Sequence, residues 1–151
     1  MPGAAELALT AAAVGSGLVA GLCFTFQAFV LRALDALGPG PAVRAMQSIN
    51  AAILRSAAMA VWFGTLVVGA CATGLADERD LPLAATALYA VGAVVITARE
   101  NVPLNEALDR VDAEGPEAAS EWPRYRARWA RWNGLRTASL TAACALFTLA
   151  A

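Results

Sequence analysis

Two short runs gather the polar side chains that could do chemistry in an otherwise apolar chain. One is Arg99-Glu100-Asn101-Val102-Pro103-Leu104-Asn105-Glu106, the other Trp129-Ala130-Arg131-Trp132-Asn133-Gly134-Leu135-Arg136. A carboxylate at Glu100, with Glu106 as second choice, can take a proton from a weak carbon acid. A guanidinium at Arg136, or at Arg55, can hold the resulting oxyanion by charge-assisted hydrogen bonds. Asn101, Asn105 and Asn133 supply orienting donors, and the indoles of Trp129 and Trp132 offer faces for a flat ring. Gln27 is the only strongly polar residue within the first apolar run. It reads as an interhelical hydrogen bond or as a ligand contact.

What is missing narrows the chemistry further. The chain has no histidine, and all 11 of its cations are arginine. A Ser-His-Asp triad, a His-ligated haem and a zinc site of the usual His type are therefore excluded. Cys23, Cys71 and Cys144 stand singly in separate apolar stretches, without metal-ligand or redox spacing. The residue set implies no metal and no cofactor. A net charge of −1 gives no reason to expect nucleic acid as a partner.

The elements that must position these groups are membrane helices. The composition is 59% hydrophobic and only 15% charged, against roughly 25% charged in a typical soluble domain. Uncharged runs extend over 7–31, 56–76, 81–98 and 137–151. The first reaches about 38 Å as a helix and the third about 27 Å, against a hydrocarbon core of about 30 Å. The last covers that thickness when it starts near Trp132, with Arg136 at the interface. The expectation is an all-α single domain over 1–151, a four-helix transmembrane bundle with spans near 7–31, 52–75, 81–99 and 133–151. The first span lacks a basic leader and is too long for a signal sequence, so it reads as a retained helix. Its partner is the lipid bilayer.

Arginine placement gives the orientation. The N-terminal tail and the C-terminus have none, and the loop Asp77-Glu78-Arg79-Asp80 has one. The other two loops and their flanks carry the remaining ten, which makes that side cytoplasmic in a cell membrane and both termini external. Between helices three and four lies an amphipathic cytoplasmic segment, in which Trp122, Tyr125, Trp129, Trp132 and Arg136 recur at helical spacing. Pro103 is expected to break helix three at Glu100–Asn101 and to open a new one. Arg136 is expected to find its polar partner in that Glu100–Glu106 segment. Ala13, Gly17 and Gly21 form a small-residue face on helix one, compatible with close helix packing or a homo-oligomer.

AMQSIN in the first loop, ENVPLNEALD after helix three and W-x2-Y-x3-W-x2-WNGLRT before helix four resemble the anthrone oxygenase-like family. GLCFTF in the Gly-rich first helix fits as well. The resemblance implies a small four-helix membrane protein of the kind found in fungal polyketide clusters, a monooxygenase-type oxidoreductase that converts anthrones to anthraquinones with dioxygen. Its partner would be a hydrophobic aromatic small molecule, held in a pocket bounded by Asn101, Asn105, Trp129, Asn133 and Arg136. Phe24, Gln27 and Trp62 would close the apolar side. The alternative is a non-catalytic membrane protein that binds a lipid, a quinone or a protein partner.

Overall fold

A computed structural model describes residues 2–151, and among them there are helices and no strands. Five continuous helices result: α1 (Ala4–Asp35), α2 (Pro39–Ile53), α3 (Ala57–Leu75), α4 (Asp80–Leu108) and α5 (Ala118–Ala150). Of these, α1, α3 and α4 are long and apolar enough to cross a membrane. The chain is a membrane protein by that measure.

Local sequence explains the boundaries. After α1 the chain turns at Gly38, whose φ of +84° suits a residue without Cβ. Pro39 then opens α2 at its first position, where the missing N–H is no loss. The second span expected near 52–75 would begin inside α2. Instead the helix ends at Ile53, and Ser56 is extended with its hydroxyl donating to the Ile53 carbonyl at 2.8 Å. A serine that bonds its own backbone offers an alternative to the helical ladder.

At Pro103 the structure departs from expectation in the other direction. Helix α4 does not break there. Its stretch Val91–Asn101 is π-helical, and the Val102 N–H bonds to the Thr97 carbonyl five residues back. Pro103 follows directly, near the start of the last α-helical turns. The wider turn absorbs the register change that a proline would otherwise force as a kink. A second π-helical turn, Phe26–Val30, lies within α1.

Helix α5 fuses the expected amphipathic segment and the last apolar run into one helix of 33 residues, about 50 Å long. Its buried stripe is Trp122, Tyr125, Trp129, Asn133, Arg136, Leu140, Ala143 and Phe147. Trp132, expected on that stripe, is only partly buried. Asn133 takes the place on the inward face.

The core lies in three layers along α5. At the Asp77–Asp80 end, Phe147 packs with Leu9, Ala12, Ala72 and Ala85. In the middle, Leu140 and Ala143 meet Val19, Cys23, Trp62, Tyr89 and Ala93. At the far end Trp122, Tyr125 and Trp129 pack with Leu31, Val43, Met46, Leu104 and Leu108. The expected Ala13–Gly17–Gly21 face packs on α5 only in part: Cys144 donates to the Ala13 carbonyl, and Gly21 meets nothing. On α1 the tightest glycine contact is at Gly15, where a Cβ would lie 2.1 Å from the side-chain Oγ1 of Thr65, while Gly17 meets Cys144 of α5.

Candidate functional site

Between the middle and far layers all five helices draw apart around a cavity of about 540 Å³. This size falls within the range of small-molecule sites. Most of its wall is apolar, with Leu22, Phe26, Met46, Ile49, Trp62 and Trp129 among the lining residues. Polar groups enter from three directions: Asn50 from α2, Thr97, Asn101 and Asn105 from α4, and Asn133 and Arg136 from α5.

Arg136 is the chemical centre of this wall. It is 7% exposed. Its Nη1 donates to Thr97 Oγ1 at 3.2 Å, and its Nη2 donates to Asn133 Oδ1 at 2.8 Å. Two indoles flank the guanidinium, Trp129 at 5.4 Å and Trp62 at 5.8 Å from ring centroid to Cζ. Such a cation–aromatic arrangement gains strength when desolvated. No carboxylate lies within ion-pair reach of Arg136 among the described residues. The expected partner from Glu100–Glu106 is therefore replaced by Thr97 and Asn133. With α4 unbroken, Thr97 stays one turn before Asn101 on the same wall and reaches the guanidinium first.

Unsatisfied polar atoms collect around the same space. Asn101 is 1% exposed, yet neither its Nδ2 nor its Oδ1 has a partner. Asn50 Nδ2, Trp129 Nε1 and Arg136 Nε are also buried and unpartnered. Buried polar groups are nearly always paired, and each orphan costs about 1–3 kcal/mol. Four residues with such atoms, from α2, α4 and α5, thus line the one cavity.

Two further bonds fix the wall. Tyr125 donates its hydroxyl to Asn105 Oδ1 at 2.9 Å. Asn133 Nδ2 donates to the Cys23 carbonyl at 2.8 Å and to Gln27 Oε1 at 3.3 Å. Gln27 thus makes the interhelical bond and does not line the cavity. On the opposite side Trp62 Nε1 donates to the Ala93 carbonyl at 2.9 Å, and Tyr89 donates to the Trp62 carbonyl at 2.8 Å.

The structure brings Asn101, Asn105, Trp129, Asn133 and Arg136 together at the cavity. It leaves five other sequence candidates outside, Gln27 among them. Glu100, one residue before Asn101, falls on a neighbouring face of α4 and does not line the space. Glu106 and Asp109 do line it, both exposed at its rim. Arg55 is exposed in the turn between α2 and α3. Trp132 sits beside Arg131, 5.6 Å from centroid to Cζ, away from the cavity. Phe24, expected on the apolar side, is exposed on α1. The sequence reading missed Thr97, Asn50, Tyr125 and Asp109. Thr97, Asn101 and Asn105 recur every four residues, and that spacing was the available signal for Thr97. Among the described residues, no three histidine, cysteine, aspartate or glutamate side chains converge as metal ligands.

Fold and cavity together define a helical membrane protein with a largely apolar internal site built around one buried cation. Residues 44–146 match the anthrone oxygenase family, a span that includes every polar residue of the cavity wall. The chain belongs to that family. Neither a curated protein nor a solved structure matches it.

Proposed function

We propose that the cavity binds a flat, polycyclic phenolic carbon acid of the anthrone type and supports its oxidation by dioxygen to a quinone. The observation that carries this reading is the buried Arg136, which has amide, hydroxyl and indole neighbours but no carboxylate. A cation left without a counter-charge in an apolar wall favours a ligand that supplies negative charge there.

In this reaction a carboxylate removes a proton from the central methylene carbon of the ring system. Glu106, at the rim, takes that role in place of Glu100. The electron pair moves onto the ketone oxygen, and the enolate is held by Arg136 with the Asn101 amide beside it. Asn105, held by Tyr125, orients the ring from the same wall. The electron-rich enolate reduces dioxygen by one electron, the radical pair combines at the central carbon into a peroxide anion, and the protonated carboxylate returns its proton to give the hydroperoxide. Loss of water breaks the O–O bond and leaves the second carbonyl. One dioxygen is consumed and one water released per quinone, without a metal. Trp129 supplies the face for stacking.

The membrane reading extends to four spans, the fourth being the 133–150 half of α5, with both termini external and the cavity toward the cytoplasmic leaflet. The arginine distribution supports this orientation. Purified protein in detergent, given emodin anthrone and air, tests the function. Formation of the anthraquinone chromophore with equimolar oxygen uptake, above the spontaneous rate, is the expected result. Saturable binding without turnover would instead favour a carrier or binding protein for such molecules.

A further inference from the structure

We propose that the cavity fills from the bilayer, through a lateral opening between α3 and α4, and so admits ring systems that are uncharged while in lipid. This rests on the membrane placement of the helices and goes beyond the proposed reaction, since any apolar ligand would use the same route.

The two helices are held together as far as Trp62, whose indole donates to the Ala93 carbonyl. Met59 and Phe63, on either side of Trp62 in α3, and Ala98 and Val102, beyond Ala93 in α4, line the cavity. Helix α3 packs mainly along the Asp80–Ala90 part of α4 and meets the Val91–Asn101 stretch near its start, at Ala93. Over this gap the lining residues face outward as well as inward. Phe63 is 53% exposed, Val102 39%, and Leu54 in the preceding turn 68%.

Large apolar side chains with that exposure are unfavourable in water and ordinary against lipid. Phe63 lies six residues into α3, about 9 Å from its start, so it sits at acyl-chain depth rather than among headgroups. The other rim, marked by Glu106 and Asp109, is acidic. It disfavours passage of an anion from the aqueous side. A molecule that arrives neutral and becomes negative only beside Arg136 satisfies both rims.

The α4 side of this gap falls in and just after the π-helical stretch Val91–Asn101.

A thiol reporter inside the cavity tests the route without any turnover. Ile49→Cys is placed in a chain whose Cys23, Cys71 and Cys144 are changed to Ala, with Leu22→Cys as a second reporter on another helix. In phosphatidylcholine vesicles the uncharged benzyl methanethiosulfonate should label the reporter at least about tenfold faster than the charged sulfonatoethyl reagent, each scaled to its rate on the denatured chain. Val102→Phe and Ala98→Phe should slow benzyl labelling about fivefold or more, while Asp109→Phe should leave it within about twofold. Equal access for the charged reagent, slowing by Asp109→Phe alone, or no labelling in vesicles with full labelling after denaturation would each overturn the lateral route. Failure to oxidise an anthrone would leave these labelling results untouched.

Discussion

Asn133 faces Arg136 across one turn of α5, its carbonyl oxygen accepting from the guanidinium at 2.8 Å while its amide nitrogen donates to the Cys23 carbonyl of α1 at 2.8 Å. The neutral amide thereby anchors a cation without cancelling its charge. That distinction can be tested directly. Asn133→Asp should pair with Arg136 but lose the donor to the Cys23 carbonyl, so it should fold with lower stability, checked by circular dichroism before binding is measured. It should also supply internally the negative charge that the ligand otherwise brings. Anthrone binding, followed by quenching of Trp62 and Trp129 fluorescence, should weaken by about tenfold or more, about 1.4 kcal/mol. Unchanged binding would show that the ligand does not use the guanidinium charge.

Arg136→Gln should abolish anthrone turnover and leave helicity by circular dichroism nearly intact. Arg79→Gln, in the turn after α3, should change neither. If Arg136→Gln unfolds a chain that had no oxidase activity to lose, the polar cluster is there to join helices.

Tyr125 holds Asn105 by one hydrogen bond. Tyr125→Phe should lower stability by about 1 kcal/mol and reduce kcat more than it raises KM, because it frees the orienting amide rather than removing a contact. Tyr125 precedes residues 133–150 of α5, the proposed fourth span, and burial pushes its phenol above the ordinary tyrosine range. The folded state therefore holds this proton more tightly than the unfolded chain. Stability from this group is constant below about pH 10 and declines as pH rises beyond it. Denaturant titrations from pH 9 upward should show a shallower decline in Tyr125→Phe.

Gly15 and Thr65 fill one another's space. Gly15→Ala should destabilise the fold, and Thr65→Ala in the same chain should recover part of the loss. Coupling in the double-mutant cycle of about 0.5–3 kcal/mol is the expected reading. Strict additivity would mean that α1 and α3 separate more easily than their contact suggests.

Reporter fusions at Ala151 and within 112–121 check the orientation. The first should report an external location and the second a cytoplasmic one. A cytoplasmic C-terminus would overturn both the orientation and the four-span count.

The apolar runs made the membrane helices legible, because span length follows from bilayer thickness and needs no tertiary information. The five residues that bound the polar wall were also legible, since Asn and Arg are conspicuous beside apolar runs. Their partners were not. Pro103 reads as a break under α-helical rules, and nothing in the local sequence says that the preceding turns will widen and carry the chain through. Without that knowledge Thr97 could not be paired with Arg136, nor Glu100 set apart from Glu106. The choice of Asn133 over Trp132 for the inward face required knowing which side of α5 meets α1.

The one-piece form of α5 bears on how the protein is made. On the four-span reading, its membrane half carries Asn133 and Arg136 and is not apolar enough to stand among α1, α3 and α4 as a free-standing span. Those three can enter the bilayer as they leave the ribosome. The last helix gains a favourable place only once Cys23, Gln27 and Thr97 are already there to receive its polar side chains. On that reading insertion of α5 is the step that completes the cavity, and a chain truncated before Ala118 should reach the membrane yet lack a binding site altogether.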